Sequence, residues 1–170
     1  AAAASALLRR GRPRRLRAYP HYPMNTSIAT LLEGKSRALH TVPANVTVFE
    51  AVQKMNQHRI GAMLVQDGPK LAGIFTERDA LTRVIAASLD PKTTPLAKVM
   101  TADGFSVGPE ATVQQVMDIF AEKRCRHLPV LREGQLVGLI SIGDVSRWVA
   151  NSHRAEAESL RQYIAGGLST

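Results

Sequence analysis

Gly73-Ile-Phe-Thr-Glu-Arg-Asp79 and Gly138-Leu-Ile-Ser-Ile-Gly-Asp144 are two copies of one sequence pattern, 65 residues apart. This repeated pattern determines the fold of the chain. Each has a glycine, two hydrophobic residues, a hydroxyl residue and, three positions later, an aspartate. The same shift aligns the flanking sequence without a gap, so the chain contains an internal repeat. Further aligned positions are Thr41-Val42 with Ser106-Val107, Thr47-Val48 with Thr112-Val113, Arg59 with Arg124, Val65 with Val130 and Leu71 with Leu136.

The first copy predicts the order β-α-β-β-α. Thr47 is placed as the N-cap of a helix, with Glu50 three residues later and apolar residues at helical spacing behind it. Two short apolar runs flank the turn Asp67-Gly68-Pro69, which predicts adjacent strands. The predicted elements are an extended piece Leu39–Val42, a helix Val46–His58, strands Ala62–Gln66 and Leu71–Phe75, and a helix capped by Thr76 that runs to about Ser88.

The second copy predicts the same order. Thr112 caps its first helix, Arg132-Glu133-Gly134 turns the chain between its two strands, and Ser141 caps its second helix. One such unit is too small to bury its sheet alone, so we expect the copies to pack sheet to sheet around a shared core, with two related clefts between them. The predicted elements are an extended piece Phe105–Val107, a helix from Thr112, strands Leu128–Leu131 and Leu136–Ile140, a helix from Ser141 through Ala150, and a separate last helix His153–Ala165.

These elements predict a division into four parts. Ser27–Leu32 begins the first copy as Pro95–Met100 begins the second. The expected parts are a basic tail (1–23), a first repeat (24–90), a second repeat (91–150) and a C-terminal helix and tail (151–170).

The charge is concentrated in the tail. The whole chain carries a formal net charge of +8 with a pI near 10.3, which is typical of nucleic-acid binders. Residues 1–23, however, hold six arginines and no acid, so removing those six charges leaves only +2 for the rest. Nucleic-acid binding is therefore not expected of the repeats. No apolar run reaches the roughly 18 residues that span a bilayer, and the single cysteine, Cys125, excludes an intrachain disulfide.

The tail itself allows three interpretations. An Arg-rich, acid-free segment is typical of an organelle transit peptide, and it also suits a basic arm for nucleic acid or acidic lipid. Alternatively, it is translated sequence upstream of the true start or residue added for expression, with Met24 as the initiator. We expect an intracellular protein of the bacterial cytoplasm, or of the mitochondrial matrix if the tail is a transit peptide.

The repeated unit, with Gly-hydrophobic-hydrophobic-[Thr/Ser]-x-x-Asp after its last strand, resembles the CBS (cystathionine-beta-synthase) domain. Cys125-Arg-His-Leu-Pro-Val130 is similar to a strand entry common in that family, and the closing stretch is similar to that of small stand-alone CBS-pair proteins of bacteria and plant mitochondria. The resemblance covers about Ser27–Ala150. It implies an α/β (α+β) fold of tandem repeats packed as a Bateman module. It further implies an adenosyl ligand (AMP, ADP or ATP, sometimes S-adenosylmethionine or NAD), regulation of an unknown partner, and a homodimer formed through helices.

The chemistry of a nucleotide explains why these residue types suit such a site. A carboxylate at Asp79 or Asp144 can accept hydrogen bonds from both ribose hydroxyls, and Thr76 and Ser141 place hydroxyls at helix N-termini where phosphate binds well. Both aspartates also suit a helix's first turn without any ligand, which is the competing structural explanation. The other expected binding residues are Thr41, Val42, Ile60, Gly61, Ala62, Ile74, Arg78, Ser106, Val107, Arg126, His127, Leu128, Pro129 and Ile140.

We expect a binding module and not an enzyme. Cys125 and His127 share one face of a strand, but no acid is evident to orient the histidine as a catalytic base. Neither a metal site nor a covalent cofactor is expected, since the five histidines lack zinc-ligand spacing. The two copies differ at the strand entry, so unequal clefts are predicted. The alternatives are an accessory subunit of a larger complex with degenerate nucleotide sites and, more weakly, nucleic-acid binding through the tail.

Overall fold

The structure, a computed structural model, describes residues 24–35, 38–102 and 104–166. The basic tail therefore lies outside the described residues. The elements of the first repeat are α1 (Ile28–Glu33), β1 (Thr41–Pro43), α2 (Val48–His58), β2 (Ala62–Asp67), β3 (Lys70–Thr76) and α3 (Glu77–Asp79), which continues as a π-helix (Ala80–Ile85). β1 pairs with β2 in parallel, and β2 pairs with β3 in an antiparallel hairpin, which gives a three-stranded sheet in the order β1-β2-β3.

The second repeat follows the same plan. Its elements are a 3₁₀ turn (Leu96–Lys98), α4 (Val113–Lys123), β4 (His127–Arg132), β5 (Gln135–Ser141) and α5 (Ile142–Gly166). Its sheet is the antiparallel pair β4-β5, and the predicted extended piece Phe105–Val107 contributes a parallel bridge from Val107 to Val130. The predicted α+β fold of two repeats is confirmed. Among the described helices, none is long and apolar enough to cross a membrane.

Local sequence explains how α2 and α4 begin and end. Thr47 and Thr112 accept a hydrogen bond from the backbone N–H three residues later, and the side chains of Glu50 and Gln115 bond back to the cap. These are two capping boxes at equivalent positions. Both helices then end on an arginine in the left-handed conformation, Arg59 (φ 53°) and Arg124 (φ 51°) respectively, aligned by the 65-residue repeat.

Two predicted helix boundaries were wrong. The predicted helices Ser141–Ala150 and His153–Ala165 form one helix, α5, because the two residues between them, Asn151 and Ser152, include neither glycine nor proline to interrupt it. The helix capped by Thr76 ends at Ile85 instead of near Ser88, which has a left-handed φ of 56°. Its last turns are π-helical, with N–H groups donating five residues back, as from Ala86 to the Leu81 carbonyl.

The segments that precede the repeats are exchanged between them. The Ile28 N–H donates to the Ala111 carbonyl at 2.8 Å, so α1 lies on the second repeat. The Leu96 N–H donates to the Val46 carbonyl at 2.9 Å, so the 3₁₀ turn lies on the first. Ile28 and Leu96 are both fully buried there, Ile28 in the core of the second repeat and Leu96 in that of the first.

The sheet-to-sheet core predicted between the repeats is present but small. Most buried side chains lie instead between helices and sheet within each repeat. Leu64 and Ile74, both buried, lie at the centre of the cluster between the sheets. Its other members are Ala62, Leu39, Leu71, Leu136 and Leu139. On either side of this small cluster the space between the repeats remains open.

Candidate functional site

Two clefts open between the repeats. Cleft 1 has a volume of about 850 Å³ and lies between the entry of β2 and the end of β5, so it combines Gly61 of the first repeat with Asp144 of the second. Cleft 2 has a volume of about 710 Å³ and combines Asp79 of the first repeat with Arg126 of the second. Each cleft thus joins the strand entry of one repeat to the aspartate motif of the other, and both volumes lie in the range of ligand pockets.

Asp79 of cleft 2 is held by the cap of α3. Its Oδ2 accepts hydrogen bonds from the Thr76 hydroxyl (2.6 Å) and the Thr76 backbone N–H (2.9 Å), and its own N–H donates to the Thr76 hydroxyl at 3.2 Å. Its Oδ1 forms an ion pair with the Arg83 Nε, 3.3 Å away. The carboxylate is fixed in orientation while one of its oxygens remains accessible for a further donor.

Asp144 of cleft 1 has the same cap but more cations. Its Oδ2 accepts from the Ser141 hydroxyl (2.6 Å) and N–H (2.8 Å), and also from Lys35 Nζ at 2.7 Å. Its Oδ1 accepts from Arg147 at 2.9 Å. Burial by itself raises the pKa of Asp144, but the hydrogen bonds from Lys35 and Ser141 outweigh it and hold the pKa below its ordinary value.

His127 lies between the two clefts and lines both of them. A side chain added at Gly61 would meet its imidazole Cε1 at 3.6 Å and the Glu77 carboxylate at 3.3 Å. Burial lowers the pKa of His127, and the nearby charges of Arg126 and Lys35 lower it further, against the opposing carboxylates of Asp144 and Glu77. The neutral imidazole is therefore favoured at the centre of the module.

Each cleft is lined by an aromatic ring, and the two rings lie at aligned positions of the two repeats. His40 lines cleft 1 and stacks on His58, with ring centroids 4.1 Å apart. Phe105 lines cleft 2 beneath the Lys123 ammonium, 5.1 Å from the ring centroid. The 65-residue shift carries the first pair onto the second. Burial and, after it, the charge of His58 lower the pKa of His40, so the histidine ring is favoured in its neutral form.

The structure brings most of the predicted binding residues to the clefts. Cleft 1 receives Ile60, Gly61, Ala62, His127, Ser141 and Asp144. Cleft 2 receives Ile74, Thr76, Arg78, Asp79, Arg126, His127 and Leu128.

Six predicted residues do not line either cleft. Val42 and Ile140 point into the repeat cores, where 2% and 0% of their surfaces are exposed, and Val107 packs against the second core. Side chains alternate along a strand, so Leu139 and Ser141, the neighbours of Ile140 in β5, line cleft 1 instead. His40 and Phe105, two residues before Val42 and Val107 and outside the strands, also line the clefts. The others are Thr41, which is half-buried, Ser106, which is exposed, and Pro129, which is buried.

Sequence reasoning missed several cations that line the clefts. Arg59 lies in cleft 1 and Arg124 in cleft 2, and their alignment in the repeat was the signal that could have identified them. Lys35 gave no such signal, because its aligned position in the second repeat is Met100. Within the described residues, no three His, Cys, Asp or Glu side chains converge as a metal site requires.

The comparison with known families decides the assignment. A family model, the CBS domain, matches residues 35–86 and 96–151. The chain belongs to the CBS domain family. As a CBS pair it is 40% identical, over 71% of its length, to "CBS domain-containing protein CBSX3, mitochondrial" of Arabidopsis thaliana, of which it covers 61%. The chain thus spans about three fifths of that relative, and about a fifth of several other plant relatives.

Solved structures place the same fold on this CBS pair. A protein with CBS domains from Burkholderia ambifaria matches with a TM-score of 0.71 and 41% identity, over 73% of this chain and 93% of that one. A CBS domain protein from Pyrobaculum aerophilum, solved in complex with AMP, shares the fold at 22% identity and a TM-score of 0.62, over 70% of this chain and 89% of that one.

Proposed function

We propose that this CBS pair is a non-catalytic regulatory module that binds an adenine nucleotide in at least one cleft and thereby modulates a partner protein. The observation that carries the proposal is the pair of capped aspartates, Asp79 and Asp144, each presented to a cleft between the repeats. Each is held at the start of a helix by a hydroxyl residue three positions earlier. The cap fixes the orientation of each carboxylate toward its cleft, where it can accept hydrogen bonds from ribose hydroxyls.

The charges of the clefts favour an anionic ligand. Among the residues that the structure describes, cleft 2 presents five cationic side chains against the carboxylate of Asp79, and cleft 1 presents four against Asp144 and Glu33. Arginine and lysine form strong charge-assisted hydrogen bonds with phosphate oxygens, and arginine binds them bidentately. AMP, ADP or ATP therefore suits the clefts better than S-adenosylmethionine, whose sulfonium is cationic, and NAD is a further candidate. The cations are Arg78, Arg83, Lys123, Arg124 and Arg126 in cleft 2, and Lys35, Arg59, Arg132 and Arg147 in cleft 1.

The adenine base has apolar and ring surfaces available in both clefts. Ile74, Leu128 and Phe105 line cleft 2, and Ile60, Leu139 and His40 line cleft 1. A base packed there stacks or lies flat against side chains that are already in place. The AMP complex of the Pyrobaculum protein supports the proposal, since it shows that the shared fold holds this class of ligand in one of its members.

The absence of catalysis is part of the proposal. Cys125 lines cleft 2 near His127, but burial raises the pKa of its thiol, which disfavours the thiolate that a nucleophile needs. A ligand between the repeats instead has a regulatory route, because it contacts both repeats at once. It shifts the relative packing of the repeats only as far as its affinity differs between the two arrangements.

Exposed apolar side chains support a second part of the proposal, a homodimer. Leu81 and Ile85 on the π-helix are 60% and 67% exposed, and Ile142 at the start of α5 is 46% exposed. Apolar side chains that remain exposed on helices suit a protein interface. Ile164, near the end of α5, is also exposed.

An accessory role in a larger complex is the alternative function, and one similar solved structure is a hexameric CBS-CP12 protein. That role predicts stable co-purification with other subunits and no response to nucleotide. Nucleic-acid binding through the tail concerns residues outside the described part. It predicts affinity that falls steeply with salt and disappears when residues 1–23 are removed. The compartment stays a prediction, since relatives include both a mitochondrial plant protein and bacterial proteins.

Thermal unfolding in the presence of nucleotides tests the proposal. AMP, ADP, ATP, S-adenosylmethionine and NAD are compared with GMP and inorganic phosphate as controls for base and charge. A ligand at a hundred times its Kd stabilises the folded state by about 2.7 kcal/mol, so we expect a Tm increase of several degrees for an adenine nucleotide and not for GMP or phosphate. No increase with any adenine compound would contradict nucleotide binding and favour the accessory subunit.

A further inference from the structure

Lys35 forms an ion pair with Asp144, the capped aspartate of cleft 1. Its ammonium donates to Asp144 Oδ2 at 2.7 Å and to the Leu139 carbonyl at 3.0 Å. Asp144 is largely buried, with 11% of its side chain exposed, and Lys35 is more shielded than the other cation on this carboxylate, Arg147 (35% against 74% exposed). The Lys35 pair is therefore the less screened of the two ion pairs.

Among the described residues, cleft 2 contains no equivalent of this ammonium. The repeat aligns Lys35 with Met100, which packs against the apolar core of the first repeat, and aligns Arg147 with Thr82. Asp79 Oδ2 accepts from Thr76, whereas Asp144 Oδ2 accepts from Ser141 and also from Lys35. The two aspartates have the same cap, and within the described part of the chain Asp144 alone has a counter-ion from outside its own helix.

While the Lys35 ammonium is bound, Asp144 has few acceptor sites left for ribose hydroxyls. Asp144 Oδ2 already accepts three hydrogen bonds, and Asp144 Oδ1 accepts one from Arg147. A ribose that bonds this carboxylate with both hydroxyls must displace at least one cation. The donors from Ser141 belong to the helix cap and stay, so Lys35 and Arg147 are the groups that can leave. A displaced ammonium that stays in a partly buried cleft without an anion costs free energy.

We propose that Lys35 is an exchangeable counter-ion that makes cleft 1 selective for phosphorylated nucleosides. When the ribose takes its place on Asp144, the ammonium swings from the carboxylate to the ligand's phosphate, so its charge is paired in both states. An uncharged nucleoside offers no second anion, so a ribose that displaces Lys35 breaks the Lys35–Asp144 pair without replacement. This inference rests on the proposed function, since it concerns how nucleotides are selected in one of the same clefts.

The test compares AMP with adenosine in the wild type and in variants that copy cleft 2. Lys35→Met introduces the residue of the aligned position, and Lys35→Gln keeps a polar group of similar reach in case the methionine variant folds poorly. Arg147→Thr is the matched control for the more exposed cation. Amide NMR of the chain gives the Kd at cleft 1 from the Gly61 signal, separately from Gly104 in cleft 2.

We expect the wild type to bind AMP more tightly than adenosine at cleft 1. In Lys35→Met and Lys35→Gln the ratio of the two affinities falls by about tenfold, which corresponds to one lost charge-assisted hydrogen bond. Adenosine binds these variants at least as tightly as the wild type, because no ion pair has to be broken. In Arg147→Thr the ratio changes by less than about threefold, since exposed pairs contribute little.

Two outcomes overturn the inference while leaving nucleotide binding intact. One is an AMP-to-adenosine ratio that stays unchanged in both Lys35 variants, and the other is an equal fall in Arg147→Thr. A Gly61 signal that responds to neither ligand in the wild type or in any variant, with Gly104 equally silent, contradicts the proposed function itself.

Discussion

Gly73 lies so close to Thr101 that a Cβ on the glycine would come within 2.6 Å of the threonine carbonyl oxygen. The same carbonyl accepts a hydrogen bond from the Ile74 N–H at 3.0 Å, which fixes the two backbones together. At the aligned Gly138 a Cβ would also meet an atom at 2.6 Å, but that atom is the methyl end of Leu32. The repeat thus conserves a glycine for two different reasons.

This contrast predicts unequal costs for one substitution. Gly73→Ala must move backbone, so we expect it to lower the free energy of unfolding by about 2 to 3 kcal/mol, at the upper end of overpacking. Gly138→Ala requires only a rotation of the Leu32 side chain, so we expect it to lower the free energy of unfolding by about 1 kcal/mol or less. Urea denaturation of the two variants checks the difference, and an equal or greater loss in Gly138→Ala would contradict it.

The exchange of segments predicts that the repeats unfold together. Leu96 precedes the second repeat but is fully buried in the core of the first, so Leu96→Ala is expected to cost about 2 to 5 kcal/mol. Trp148, the single tryptophan, packs against the core of the second repeat and reports on that core. In Leu96→Ala we expect the unfolding transitions followed by Trp148 fluorescence and by circular dichroism to shift to lower urea concentration by the same amount. A dichroism transition that moves while the Trp148 transition stays would show independent repeats.

The lowered pKa of His127 predicts a loss of stability in mild acid. The unfolded histidine takes up a proton near its ordinary pKa of 6.5, before the folded one does, so the stabilising contribution is complete above about pH 6.5 and is lost as the pH falls through the folded value. His127→Gln removes this contribution, and its free energy of unfolding should fall less between pH 7 and pH 5.5 than that of the wild type. The decrease that remains in His127→Gln includes the contribution of His40, whose pKa is also lowered. Parallel pH profiles for the two proteins would refute the assignment to His127.

The proposed homodimer predicts that a charge on the π-helix separates the subunits. Ile85→Asp places a carboxylate on a side chain that is 67% exposed, so the fold should persist while association weakens by at least about tenfold, the effect of about 1.4 kcal/mol. Lys70→Glu, at the first residue of β3, serves as the control. Sedimentation velocity over a range of concentrations measures the effect. A wild type that is monomeric throughout, or an unaffected Ile85→Asp dimer, would refute this surface.

The fold could be predicted from the sequence wherever local chemistry determines it. The Thr47–Glu50 capping box and the turn after Asp67 act over a few residues, and the repeat then supplied each element a second time. The π-helical form of Ala80–Ile85 and the exchange of α1 depend on distant packing, which residue patterns do not encode directly. Likewise, the motif identified Asp144 in the site, but Lys35 reaches it from 109 residues away through contacts that only the folded chain creates.

Nucleotide binding at Asp79 and Asp144 can be measured by calorimetric titration of three proteins with AMP: the wild type, Asp79→Asn and Asp144→Asn. The asparagine retains an oxygen for the helix cap but lacks the charge and the second acceptor for the ribose. We expect saturable binding to the wild type and at least about a tenfold loss of affinity at one cleft in one of the variants. No heat with the folded wild type, or affinities in both variants equal to that of the wild type, would contradict the claim.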